Sequence, residues 1–211
     1  TNFVCGFMFL DRMEEFLECM RHTPVCKFPD SFIGTCQYQP PYTLQLDDWE
    51  QRGIQSLHPG DYFKNELLAQ LTLQGAVWMY WGHGDWYRLR GYGHIDRDDL
   101  SELRREKSFA ATLWFACSTF DFSLGTPLAW EWYQQGKTKC LLCSPDKIST
   151  QANQLFASQF LQEIIDSTQE QSIAELLRRT FEAKKEELNS VQDAYYLLGN
   201  PWVRVGKDLI G

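Results

Sequence analysis

Two long apolar runs, each closed by a chemically active side chain, restrict what this chain can fold into more than anything else in it. The first, Ala76-Val77-Trp78-Met79-Tyr80-Trp81, leads into Gly82-His83-Gly84-Asp85. The second, Ala110-Ala111-Thr112-Leu113-Trp114-Phe115-Ala116, leads into Cys117-Ser118-Thr119. Apolar runs of this length bounded by Gly or Ser read as strands buried on both faces, as in a parallel sheet. The interval between them has room for a crossover helix, so the two strands are expected to be parallel near neighbours. Open α/β sheets take their ligands at the carboxyl ends of the strands. That topology would bring His83 and Cys117 to one rim.

The flanking chain alternates helical and strand patterns. Residues 2–10 read as a first buried strand, and Met13, Phe16, Leu17 and Met20 recur at helical spacing behind a candidate N-cap, Asp11. From Thr23 to His58 the pattern dissolves among Pro24, Pro29, Pro40 and Pro41, leaving loop with one short strand within 31–38. Asp61 is the candidate cap of a helix carrying Phe63, Leu67, Leu68 and Leu71. Asp96 can cap a short helix containing Leu100 and Leu103, and Thr126-Pro127 predicts a helix with Pro at its first position, ended by Gly136. A strand over 139–144 follows, then helices over 152–166 and from Ser172, which forms a capping box with Glu175. A turn and a last strand over 195–205 close the chain. The whole is expected to be a single α/β domain spanning 1–211, a three-layer sandwich around a mostly parallel sheet, with residues 1–59 the least legible.

Composition narrows the partners. With 44% hydrophobic and 23% charged residues in 211, the chain has the balance of a globular domain. A formal net charge of −8 offers no basic surplus to displace counterions, which argues against nucleic acid. No apolar run reaches the ~18 to 20 residues of a membrane span, and no signal-peptide pattern is visible. Seven cysteines, an odd number, make no complete disulfide framework. Several lie in apolar surroundings, so a reducing, cytoplasmic setting is expected.

The chemistry points to acyl transfer. A free thiol, with a pKa of about 8.5, is mostly protonated at neutral pH and needs an adjacent base. His83 is the candidate base and Cys117 the candidate nucleophile. Glycine on both sides of His83 lets a substrate backbone approach closely. The backbone N–H groups of Gly84 and Cys117 are the candidate oxyanion donors. Asp85, Trp86 and Asp121 flank the pair as candidate substrate contacts. No metal or cofactor is required: the pairs His83/Asp85 and His94/Asp96 lack a further well-spaced ligand. Cys140 and Cys143, three apart on a strand, face opposite sides.

An apolar block ending in His-Gly, followed some 30 residues on by an apolar block ending in Ala-Cys, resembles the pattern of the caspase-like cysteine peptidases of clan CD. Here the spacing is 117 − 83 = 34. Within that clan the chain is most similar to the gingipain family and the related CHAT domains. Three further segments carry the likeness: Phe122-Ser-Leu-Gly-Thr-Pro-Leu-Ala-Trp-Glu131, the Ile173–Lys184 helix, and Leu197-Leu-Gly-Asn-Pro-Trp-Val-Arg-Val205, where Asn200 replaces an Asp. The resemblance covers roughly residues 60–205. It implies a caspase–hemoglobinase fold, a His–Cys dyad and hydrolysis of protein or peptide substrates through a thioester. Members that cleave after basic residues often carry an acid two before the nucleophile, where this chain has Phe115, so a basic preference stays open. Two other readings also stay open. One is a caspase-like interaction or regulatory module whose dyad is idle or switched on by partner proteins or domains outside these residues. The other is a metal-dependent hydrolase.

Overall fold

In the computed structural model, which describes Gly6–Phe7, Leu17 and residues 21–103 and 107–207, a seven-stranded sheet carries helices on both faces. Five contiguous parallel strands run in from one edge. In spatial order these are β4 (Gln55–Leu57), β3 (Phe32–Cys36), β5 (Val77–Trp81), β8 (Ala111–Phe115) and β9 (Cys140–Cys143). Strand β11 (Tyr196–Gly199) joins β9 antiparallel, and β1 (Gly6–Phe7) pairs parallel with β11. A second sheet of β10 (Gln171–Ser172), β12 (Arg204–Lys207) and β2 (Val25–Phe28) lies apart from the first. A small hairpin, β6 (Arg88–Leu89) with β7 (Ile95–Asp96), sits in the β5–β8 connection.

The two apolar runs are adjacent and in register, with Val77 opposite Ala111 and Trp81 opposite Phe115. Every residue of both strands is buried, and their side chains alternate between two cores as a pleat requires. Val77, Met79, Trp81, Ala111, Leu113 and Phe115 enter one core, against Leu46 and Trp49 of the helix Tyr42–Gln51 and Phe156 and Phe160 of the helix Thr150–Asp166. The amphipathic helix Ile173–Ala183 and the short helix Asn189–Gln192 complete this layer. Trp78, Tyr80, Trp114 and Ala116 enter the other core, against the helices Lys64–Leu73 and Leu128–Gln134. There Trp132 lies 5.1 Å from Trp78 and 5.3 Å from Trp114, ring to ring. The threonines within these apolar strands satisfy indoles: Trp78 Nε1 donates to Thr35 Oγ1 at 2.8 Å and Trp132 Nε1 to Thr112 Oγ1 at 3.2 Å. Cys140 faces one core and Cys143 the other.

Several local readings need correction. The connection from β5 to β8 holds a hairpin and a 3-10 turn, Arg97–Ser101, capped by Asp96 as expected, instead of a crossover α-helix among the described residues. Residues 23–58 contain the strands Val25–Phe28 and Gln55–Leu57 and the helix Tyr42–Gln51 besides the expected strand. Asp61 does not cap the next helix. It begins at Lys64, where Glu66 Oε2 accepts the Phe63 N–H at 2.8 Å, and Phe63 is 79% exposed. Pro127 is the N-cap and not the first helical residue. The stretch 195–205, read as a turn and one last strand, holds a strand of the main sheet, Tyr196–Gly199, and the start of a second strand, Arg204–Lys207, in the other sheet. The expected strand over 2–10 and helix over 11–22 lie outside the described residues, apart from Gly6, Phe7, Leu17, Arg21 and His22.

Phe115 meets Phe156 at 5.4 Å and Phe160 at 6.1 Å, ring to ring. Trp49 of the helix Tyr42–Gln51 lies 6.4 Å away, so truncating Phe115 loosens its strand against two helices at once. Phe115→Ala is expected to cost about 3–5 kcal/mol of stability, read as a lowered urea midpoint at unchanged slope. Phe122→Ala, at a side chain 53% exposed, should stay within about 0.5 kcal/mol of the parent.

Candidate active site

His83 and Cys117 each stand two residues beyond the last in-register pair, Trp81 and Phe115, at the carboxyl ends of adjacent parallel strands. Their partners belong to the same side of the sheet. The His83 Nε2 atom lies 3.0 Å from the hydroxyl of Tyr42, a member of the core that receives Trp81 and Phe115. The Cys117 thiol donates to the carbonyl of Ile148 at 3.3 Å and accepts the Ile148 N–H at 3.2 Å. Ile148 packs against that same core. Among the described residues no hydrogen bond joins His83 directly to Cys117.

The His83 turn is fixed from three directions. Its N–H donates to Gln37 Oε1 at 3.0 Å, and its carbonyl accepts the Arg90 N–H at 3.0 Å. The Tyr80 hydroxyl rises from the other core between the carbonyls of His83 and Arg90, at 2.8 and 2.7 Å. Burial holds the Tyr80 phenol well above its ordinary pKa, so it remains a donor. Both glycines are required by space. A Cβ on Gly82 would meet Gln37 Cβ at 2.8 Å, and one on Gly84 would meet the Cys117 carbonyl oxygen and Thr119 Cγ2, each at 2.7 Å. Gly84 therefore sits directly against the Cys117 backbone. Among the described residues, no acceptor is bonded to the N–H of Gly84 or of Cys117.

The Cys117 turn is tied to the segment after β9. The Ser118 N–H donates to Asp146 O at 3.0 Å and the Phe120 N–H to Ser144 O at 2.9 Å, while Ser118 takes a φ of 51°, uncommon without glycine. Tyr195 stands beside the thiol, with its hydroxyl near the Ala116 backbone and 2.8 Å from Asn153 Oδ1. Burial first, and then the neighbouring Cys117, hold its phenol well above the ordinary range.

The flanking candidates divide. Asp85 folds its own turn: Oδ1 accepts the Tyr87 and Arg88 N–H groups at 3.0 and 3.1 Å, and Oδ2 pairs with Arg88 Nε at 3.2 Å. The Trp86 carbonyl accepts the Leu128 N–H at 2.7 Å, and its indole lies over Gly125 with the Arg97 guanidinium 5.7 Å from the ring. Asp121 caps the 3-10 turn Phe122–Leu124 by accepting the Ser123 N–H at 2.8 Å. That bond, aided by Lys147, holds its carboxyl below the usual range. As for metal ligands, the three-residue group found among the described residues is Asp47, Glu50 and His58, not the His83/Asp85/His94/Asp96 set. Its two carboxylates are exposed and flank His58, with Glu50 Oε2 3.2 Å from Nε2.

Sequence reasoning did not reach Gln37, Tyr42, Ile148 or Tyr195. Tyr42 had a readable signal, because Tyr42, Leu46 and Trp49 recur at helical spacing. Ile148 and Tyr195 act through a loop backbone and a phenol with no motif around them.

No curated protein sequence matches this chain. Among solved structures it is similar to the complex of the pro- and mature domains of RgpB from Porphyromonas gingivalis, with a TM-score of 0.68 at 14% identity over 89% of this chain and 52% of that one. It is also similar to gingipain R (RgpB), described as an Arg-specific cysteine proteinase, with a TM-score of 0.66 at 14% identity over 92% of this chain and 53% of that one. The chain thus spans about half the length of these structures. The likeness shows the fold, the caspase–hemoglobinase architecture with its mostly parallel sheet. Residues 36–206 match the model of peptidase family C25, and on that match the chain belongs to this family of gingipain-like cysteine peptidases.

Proposed function

We propose that this domain is a cysteine endopeptidase in which His83 is the base and Cys117 the nucleophile. The observation that supports this reading most directly is the register of β5 and β8. It holds both residues at equal distance past their strands, with partners from one core. The proton of the Cys117 thiol passes to an imidazole nitrogen of His83, and the thiolate attacks the scissile carbonyl carbon. The resulting oxyanion lies between the Gly84 and Cys117 N–H groups, both lacking an acceptor among the described residues. The imidazolium returns its proton to the leaving amine, giving a thioester, and water activated by the neutral imidazole releases the acid. Catalytic hydrogen bonds are commonly completed only with substrate bound, which accommodates a resting thiol bonded to Ile148.

The substrate is a protein or peptide. We extend the reading to a basic residue before the scissile bond, a preference that the resembled gingipain R carries in its description. Asp121 suits that role better than Asp85, since Asp85 is committed to Arg88 and two backbone donors. The bonding of Cys117 to Ile148 instead of His83 favours the second reading, an interaction module with an idle dyad. Failure of Cys117 to react with a peptidyl acyloxymethyl ketone under any condition would select it.

Cys117→Ala and His83→Ala should each lower kcat by about a thousandfold or more on a peptide that the parent cleaves. Undiminished cleavage by Cys117→Ala in a quenched-fluorescent peptide assay would remove the reading. Gly84→Ala, which drives a methyl against the Cys117 carbonyl, should cost roughly a hundredfold in kcat with KM little changed. On a panel varied at the residue before the scissile bond, Asp121→Asn should reduce the ratio of Arg to Leu cleavage by about tenfold; an unchanged ratio would remove Asp121 from the pocket.

A further inference from the structure

The segment between β3 and the following helix touches His83 at both ends. Gln37 receives its backbone N–H at 3.0 Å, and the Tyr42 hydroxyl lies 3.0 Å from Nε2. Tyr42 is itself held rigidly. It is 3% exposed, is the first residue of its helix, and meets Trp81 edge to face at 4.7 Å and the imidazole at 5.4 Å. Among the described residues no carboxylate is paired with His83, and the titratable side chain bonded to its ring is this phenol. Asp47, on the same helix, lies beside His58. From the other core, Tyr80 reaches the His83 carbonyl and not the ring.

A neutral imidazole carries one proton, and only the bare nitrogen can accept another. If Nε2 keeps the proton and donates it to the Tyr42 oxygen, Nδ1 is bare and can receive the proton of Cys117. If Tyr42 donates to Nε2, the proton sits on Nδ1 and the base is blocked. After transfer both nitrogens carry protons, and Nε2–H still needs an acceptor, which the phenol oxygen supplies without any charge. We propose that Tyr42 is a positioning residue for His83, holding the ring by its Nε2–H and turning a bare Nδ1 towards Cys117. This rests on the reading of His83 and Cys117 as the reacting pair. A phenol fixes tautomer and orientation as a carboxylate would, but adds no negative charge to stabilise the imidazolium.

The test is Tyr42→Phe, which keeps the ring packing on Trp81 and deletes the oxygen alone. The imidazole ¹⁵N shifts of His83 in the full chain report the tautomer directly, without any need for activity. The parent should show Nε2–H with a bare Nδ1, and the variant a mixture of both tautomers. With peptide substrate, kcat should fall by about tenfold to a hundredfold at unchanged KM, and iodoacetamide labelling of Cys117 at neutral pH should slow in parallel. A melting temperature equal to the parent's would separate this from a folding defect. A parent His83 protonated on Nδ1 would overturn the proposal even if the variant failed to fold. So would an unchanged tautomer, or a kcat within twofold of the parent. Persistence of cleavage in Cys117→Ala would instead overturn the reacting pair, and with it any catalytic meaning of Tyr42, while the ¹⁵N shifts would still report the Tyr42–His83 bond.

Discussion

The pairing of β5 with β8 governs everything at the rim. The side-chain period of a strand is two, so sliding one strand by a single residue would exchange its entire set of side chains between the two faces. Here that slip would send Phe115 from its phenylalanine cluster into the tryptophan cluster, and Trp114 the other way. Each large side chain is worth roughly 1.5–3 kcal/mol in burial, and the two clusters differ in shape, so register is held from both sides at once. The placement of the two residues beyond the ladder inherits that accuracy at no cost of its own. His83 and Cys117 are simply the second residues past a locked ladder.

Beyond the ladder, backbone and polar chemistry take over. Phenols reaching out of the cores brace the rim: Tyr80 bonds the carbonyls of His83 and Arg90 from one core, while Tyr42 meets the His83 ring and Tyr195 bonds Asn153 from the other. Ser118 carries a left-handed φ directly after Cys117. Such a conformation costs about 1–3 kcal/mol and is sustained by the bond from its N–H to Asp146. Glycine appears where two backbones approach within the space of a methyl group, at Gly84 against Cys117.

The parts of this arrangement that were legible in the sequence are those written in long-period apolar patterns. The central strands, their parallel pairing and the helices around Phe156 and Leu176 follow from runs and repeats several residues long. Within 23–58 only the strand at 32–36 was legible, because the helix starts directly after Pro40-Pro41 and exposes Leu44, leaving just Tyr42, Leu46 and Trp49 to mark its spacing. The region's strands are three to five residues long. The contacts of the pair were hidden for a different reason. Tyr42 is 41 positions from His83, and Ile148 is 31 from Cys117; long-range partners of this kind leave no local periodicity.

The bond from the Leu128 N–H to the Trp86 carbonyl joins the loop that follows the imidazole to the helix that follows the sulfur. The next residue, Ala129, donates to Thr119 O, and Gly84 rests on Cys117 and Thr119. Together these links close a circuit through both loops. A closed linkage has fewer independent ways to deform than two free arms, and each bond in it must be given up, at about 1 kcal/mol, before one side can shift without the other. His83 and Cys117 therefore ride on a single stiff frame, and a displacement imposed on either loop is delivered to both.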